Sequence, residues 1–389
     1  MKTIYFEPSW KFHSTYKTLV KTPPEEYEFT YPAFSSGIFQ IAASKRFNYF
    51  VQHTIDELLP INLTKSYLTR KSPNSDSCLT YAQNHVVFRS EPWVIDFDPT
   101  TIVFPISYSW RHFYRYKKIV EKLLSSQNCK GILCWTYGTK KAILNNYNST
   151  DLKNKAQVVP FAVESKHAFR KQYKDDSRVK LLFVGSGNIP NLFHIKGGKE
   201  AIEAFRILLK KNPNLELVMR SDIAQDVKSR YLGVPNLRFI DYPLSHDALE
   251  AEFTSADIML LPAHFIPVNT FLEAMSYELP IVTIDACDNE ELVEHGVTGL
   301  VIKKSSKIPY YIGNGIIDPG TPNFMHIVSN FVDPEVVSNL VISVQKLIDN
   351  ASLRREMGKK GRAKVESGCF SIAHRNKLLK KFLDNAVGS

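Results

Sequence analysis

Five short apolar runs recur through the second half of the chain: VKLLFVG (179–185), LELVMR (215–220), LRFIDYP (237–243), ADIMLLPA (256–263) and PIVTID (280–285). Runs this short and this continuously apolar read as strands buried on both faces, the pattern of a parallel sheet. Between the first two lies GGKEAIEAFRILLKKNP (197–213), which is apolar at helical spacing, basic in its last turn and closed by a proline. Alternating strands and helices of these lengths argue for an α/β, doubly wound parallel sheet, with ligand at the carboxyl ends of the strands.

The first half repeats the theme less regularly. KTIYFEP, CLTYAQ, WVIDFD, GILCWT and AQVVPFAV are strand candidates, with helices expected over 109–126 and YGTKKAILNNY. The polar stretch ESKHAFRKQYKDDSR (164–178) reads as a linker between the halves, and IAHRNKLLKKFLDNA as a closing amphipathic helix. A length of 389 residues exceeds one ordinary core. The expected division is a first domain over 1–165, a second over 178–370, and a helix over 371–389 that completes the first.

Composition narrows the class. An apolar fraction of 44% and a charged fraction of 23% are those of a soluble globular protein, and no apolar run reaches membrane-spanning length. MKTIYFEPSW begins like a strand and lacks a signal-peptide core. The five cysteines, Cys78, Cys129, Cys134, Cys287 and Cys369, are odd in number and scattered, as expected of reduced thiols in a cytoplasmic protein. A net charge of +10 favours an anionic partner, which charge alone leaves open among nucleic acid, acidic lipid and a phosphorylated substrate.

The stretch PVNTFLEAMSYELPIV (267–282) carries the most specific chemistry. Asn269 or Thr270 can cap a helix, and Thr270-x-x-Glu273 fits a capping box. Leu279-Pro280 stops that helix before the next strand. A helix start at the end of a strand is a natural place to hold phosphate.

Taken in order, CWTYGTKKAILNNY, LLFVGSG, KGGKEAIEAFRILLKKNPNLELVM, NLRFIDYPLSHDALEAEFTSADIMLLPA, FLEAMSYELPIVTID and ELVEHGVTGLVI resemble a retaining, nucleotide-sugar-dependent glycosyltransferase of family 4. The resemblance runs from about residue 130 to the end. It implies the GT-B fold, two facing Rossmann-like domains with a cleft between them, with the donor nucleotide in the C-terminal domain. It implies no cofactor, a nucleotide-diphosphate sugar of UDP or GDP type as substrate, and a glycan or lipid-linked acceptor. The family signature is a Glu, seven residues and a second Glu that binds the ribose, and Glu273 holds the second position. The backbone around Asn269 and Thr270 is implied to receive the diphosphate, Lys196 to neutralise it, and Gly185, Ser186 and Gly187 to let the chain approach the donor.

Two departures stand out. The first signature Glu is replaced by Phe265, with His264 beside it as a candidate substitute. The family arginine after the first strand is absent, and Arg220 at the end of the next strand is the candidate to supply its charge. No Asp-x-Asp falls in a loop suited to a donor metal, so transfer without metal or enzyme nucleophile is expected. On the acceptor side, Asp96 and Asp98 in PWVIDFDP are the candidate carboxylates, with His85 and His112 as alternatives. WRHFYRYKK (110–118) interleaves aromatic and basic residues and suits an anionic membrane surface, with a solvated basic helix face as the plainer reading. Rival readings are an NADP-dependent oxidoreductase suggested by FVGSGNIP, a nucleotide-sugar epimerase, and a catalytically degenerate sugar-nucleotide binder.

Overall fold

The computed structural model describes residues 1–8, 14–31, 58–68, 76–98, 105–107, 112–166, 169, 171, 178–186, 192–312, 316–317 and 322–388. Gly187, Trp110 and Arg111 lie outside these described residues. The chain forms two compact units. The first comprises Met1–Ala162, Tyr311–Thr321 and Ile372–Ser389, and the second Val163–Tyr310 and Pro322–Ser371. Segment 311–321 thus groups with the first unit, inside the range that sequence assigned to the second.

The first unit holds a parallel sheet of β1 (Lys2–Glu7), β2 (Tyr27–Thr30), β3 (Leu79–Gln83), β4 (Trp93–Phe97), β5 (Cys129–Cys134) and β6 (Ala156–Val158), ordered β2-β1-β3-β4-β5-β6. The chain steps from β1 out to β2 and returns to β3 on the other side of β1, so the order reverses between β1 and β3. Strand β2 was not expected, because YEFT is short and buries only alternate residues. The helix Ile372–Gly388 belongs to this unit for a specific reason. Its Arg375, 1% exposed, donates to the carbonyl and hydroxyl of Thr22 at 2.6 and 2.9 Å. Gly131 in β5 leaves room for the Phe382 ring, which lies 2.7 Å from where a Cβ would stand.

The second unit repeats the arrangement with β7 (Lys180–Val184), β8 (Glu216–Arg220), β9 (Leu237–Ile240), β10 (Ile258–Leu260), β11 (Ile281–Ile284) and β12 (Gly299–Ile302). Every pairing is parallel, in the order β12-β11-β10-β7-β8-β9. The order reverses between β7 and β10, and a crevice at the carboxyl ends of those two strands is where an open α/β sheet takes its ligand. These two sheets are the α/β, Rossmann-like fold expected from the alternation of strand and helix.

The stretch 164–178 is not a free linker over its described residues. Arg362, buried on the helix Ala351–Glu366, donates to the carbonyls of Lys166 and Phe169 at 3.1 and 2.8 Å. The Lys171 ammonium reaches the carbonyls of Thr254 and Ala256. The polar composition that suggested solvent serves instead to strap the chain onto the second unit.

Candidate functional site

The second unit's switch point gathers six of the residues singled out from sequence. Strand β7 delivers Gly185 and Ser186, strand β8 delivers Arg220, the turn before the helix Gly198–Leu209 delivers Lys196, and the helix Val268–Ser276 delivers Thr270 and Glu273. Gly197 makes the Lys196 turn possible. It sits at φ +76°, and a Cβ there would stand 2.2 Å from the Pro262 carbonyl oxygen. The Lys196 Nζ then reaches the Thr270 hydroxyl at 3.3 Å. Among the described residues no carboxylate pairs with this lysine. Burial, with the Arg220 charge second, pushes it down to about 8.

Arg220 donates to the Gly185 carbonyl at 3.3 Å, while its Nε is buried without a partner. Burial lowers its pKa, partly offset by the charge of Glu273. Glu273 itself is half-buried and, among the described residues, makes no hydrogen bond or ion pair. Burial raises its pKa, against the pull of Lys166, His246 and Arg220. Two cations short of acid and a carboxylate short of donors therefore sit together at one strand edge.

The helix start differs from expectation. Its N-cap is Pro267, with no side-chain cap, and Phe271 N–H to the Pro267 carbonyl is its first helical bond at 3.0 Å. Asn269 and Thr270 are thus inside the first turn, and Thr270-x-x-Glu273 is not a capping box. The helix thus begins two to three residues earlier than a polar cap at Asn269 or Thr270 would set it. The correction removes the structural account of Glu273. It also leaves the first-turn amides of Val268 and Thr270 without intrahelical acceptors, at the positive end of the helix dipole.

Gly185 has a packing reason of its own: a Cβ would stand 2.2 Å from the Ser221 hydroxyl. The Ser186 carbonyl accepts from Asp222 N–H at 2.6 Å, which ties the end of β7 to the end of β8.

Two expected site residues are occupied elsewhere. His264 is 1% exposed, with Nδ1 at 2.9 Å from the Tyr310 hydroxyl and Nε2 at 3.1 Å from Glu200. Both ring nitrogens are used internally, so His264 does not open toward a ligand in place of the absent Glu. Asp96 is wholly buried. Its carboxylate accepts from the Tyr16 hydroxyl (2.7 Å), the Tyr81 hydroxyl (3.2 Å), Trp135 Nε1 (3.1 Å) and Asn84 N–H (2.9 Å). It is a hub for four donors from its own unit, three of them on Oδ2. Burial raises it to about 6 despite those bonds. The other acceptor-side candidate, His85, bonds the Gln83 carbonyl at 2.9 Å and lies 3.3 Å from Glu7, which also holds Arg89 at 2.5 Å. Burial alone would raise Glu7, but His85 and Arg89 bring it down to about 2.

Comparison with known proteins gives this geometry a family context. Residues 178–309 match the family model of glycosyl transferases group 1. The matched range contains the whole constellation of Gly185, Lys196, Arg220, Thr270 and Glu273. The putative glycosyltransferase YtcC of Bacillus subtilis (strain 168) is 28% identical over 155 residues, covering 36% of this chain and 36% of that protein. The capsular polysaccharide biosynthesis glycosyltransferase CapM of Staphylococcus aureus is 24% identical over 233 residues, covering 55% of this chain and 52% of that one. The aligned part thus spans about a third and about half of these two curated relatives. Among solved structures, WaaG, a glycosyltransferase involved in lipopolysaccharide biosynthesis, superposes with TM-score 0.58 at 16% identity over 100% of both chains. HepE of Anabaena, solved with UDP-glucose, gives 0.58 at 14% identity over 99% of both. At these identities the likeness is one of fold, and the fold is the GT-B type that the group 1 match accompanies.

Sequence reasoning missed the neighbours of Glu273 on its far side, namely Lys166, His246, Glu250 and Tyr277. Only Tyr277 left a signal, standing four residues after Glu273 on the same helix face.

Proposed function

We propose that the chain is a retaining glycosyltransferase of family 4. It transfers a hexose from a nucleotide-diphosphate sugar of UDP or GDP type to a glycan or lipid-linked acceptor, without metal or cofactor. The observation that carries this reading is the pairing of unneutralised Lys196 and Arg220 with an undonated Glu273 at the β7/β10 switch point. The group 1 match over those residues favours transfer over the oxidoreductase, epimerase and degenerate-binder readings.

Each group has a part. Glu273 accepts the two ribose hydroxyls in charge-assisted bonds. Lys196, Arg220 and the first-turn amides at Val268 and Thr270 balance the diphosphate as it departs, an electrostatic role in which preorganised donors act without moving. That a relative, HepE, was solved with UDP-glucose supports a UDP-type donor.

We further propose that the protein works at the cytoplasmic face of an anionic membrane. The helix Phe113–Ser125 exposes Tyr114, Arg115, Lys118, Ile119 and Lys122. At 100° per residue these occupy a single stripe, with three cations between a tyrosine and an isoleucine. Co-sedimentation with vesicles containing phosphatidylglycerol, abolished by K118E/K122E, is the expected result. Sedimentation equal with neutral vesicles would remove this part alone.

The donor reading is tested by thermal shift of the full chain against UDP, GDP, ADP, their sugar conjugates and NADP. One diphosphate should raise Tm, and Glu273→Ala should abolish the rise. A response to NADP alone would sink the reading.

A further inference from the structure

Glu273 has a second charged flank, and part of it comes from the strap that leads into the second unit. Glu250 is its centre. It accepts from the Tyr277 hydroxyl at 2.8 Å, and its carboxylate lies 3.4 Å from the Lys166 ammonium and 3.9 Å from His246 Nε2. The Lys166 ammonium also stands over the Tyr277 ring, 5.7 Å from its centroid, and Phe169 meets that ring edge-on at 5.1 Å. Tyr277 follows Glu273 by one helical turn, so both project from one face of the helix Val268–Ser276 and its C-terminal residue. Lys166 cannot drift from this place, because Arg362 holds its carbonyl and that of Phe169 while pairing with Glu278 and Glu366.

The charges bearing on Glu273 are therefore Lys166 from the strap, His246 and Glu250 from the helix His246–Ser255, and Arg220 from β8. Arg362, on the helix packed alongside, is engaged by Glu278 and Glu366 instead. Burial works against an ionised Glu273, and an ionised carboxylate accepts hydroxyl donors more strongly than the neutral acid does. Of the two basic side chains on this flank, Lys166 is the one seated both on Glu250 and over the Tyr277 ring.

We propose that Lys166 is a positioning residue of the donor site: fixed on Tyr277 and Glu250 one helical turn from Glu273, it presents its positive charge to the carboxylate that takes the ribose. The strap entering the second unit is then part of the nucleotide site. This rests on the reading of Glu273 as the ribose acceptor.

The test is titration calorimetry of the full chain with UDP from pH 5 to 8, on the wild type, Lys166→Met, Lys166→Arg and Glu273→Gln. Affinity of the wild type falls on the acid side as Glu273 takes up a proton. Removing the Lys166 charge lets the Glu273 pKa rise further, so in Lys166→Met that acid limb moves to higher pH. UDP then binds about fivefold more weakly near pH 6, the effect of one partly screened charge. Lys166→Arg restores both the affinity and the limb, and Glu273→Gln has no such limb. A role in folding alone would weaken binding equally at every pH, or leave it unchanged, and either result in Lys166→Met overturns the proposal. If the wild type fails to bind UDP, or Glu273→Gln binds as the wild type does, the ribose-acceptor reading falls and takes this proposal with it.

Discussion

The two units each bury a carboxylate that sequence nominated for function, and the two have opposite surroundings. Asp96, near the end of β4, is raised by burial to about 6 and receives four hydrogen bonds. Glu273 is also raised by burial and receives none from the described residues. A buried acid satisfied by its own unit stabilises that unit and is closed to a ligand. A half-buried acid left without donors, beside cations left without acids, is a cost to stability that a ligand can offset. Partner count separates the two where burial and pKa direction do not.

The comparison breaks most sharply in stability. Asp96→Ala strands the Tyr16 and Tyr81 hydroxyls and the Trp135 indole N–H, and should cost about 3 kcal/mol or more in chemical denaturation. Glu273→Ala removes no hydrogen bond and should stay within about 0.5 kcal/mol of wild type. Equal losses from the two would show that the difference in partners does not matter. The next largest effect is on binding. Lys196→Met should weaken UDP about 30-fold at pH 7, the order of one charge-assisted contact in a half-buried site. The pH dependence has a definite sign. Lys196 sits near about 8 because burial depresses it, and a bound diphosphate favours its protonated form. Wild-type affinity should therefore fall as pH rises through about 8, and Lys196→Met should lose that limb.

These outcomes bear on what the sequence could show. The strands of the second unit were legible because LLFV, ELVMR and PIVTI are continuous apolar runs, while YEFT at the edge of the first sheet was too short to register. The grouping of Lys196, Arg220 and Glu273 at one end of the sheet was legible because each sits within a few residues of a strand end or a helix start. The surroundings of Asp96 were not legible, because its donors arrive from residues 16, 81, 84 and 135, a gathering that no local pattern encodes. The same holds for His264, whose partners are Glu200 and Tyr310. The strap at Lys166 was read as linker because its polar residues look alike whether they face water or the carboxylates and carbonyls of a neighbouring helix.

The smallest effect is the most discriminating. The Thr270 hydroxyl accepts from the lysine at 3.3 Å, and Thr270 lies in the helix's first turn. If the site acts through charge and backbone amides, Thr270→Val keeps the helix start and both cations, and loses one long hydrogen bond. UDP binding should then weaken only about two- to fivefold, with the limb near pH 8 intact. If instead the hydroxyl were the group that orients Lys196, the valine variant would approach Lys196→Met in both affinity and pH profile. The comparison of Asp96 with Glu273 would then need restating, because the ligand-ready region would depend on its own internal hydrogen bond, as the saturated one does.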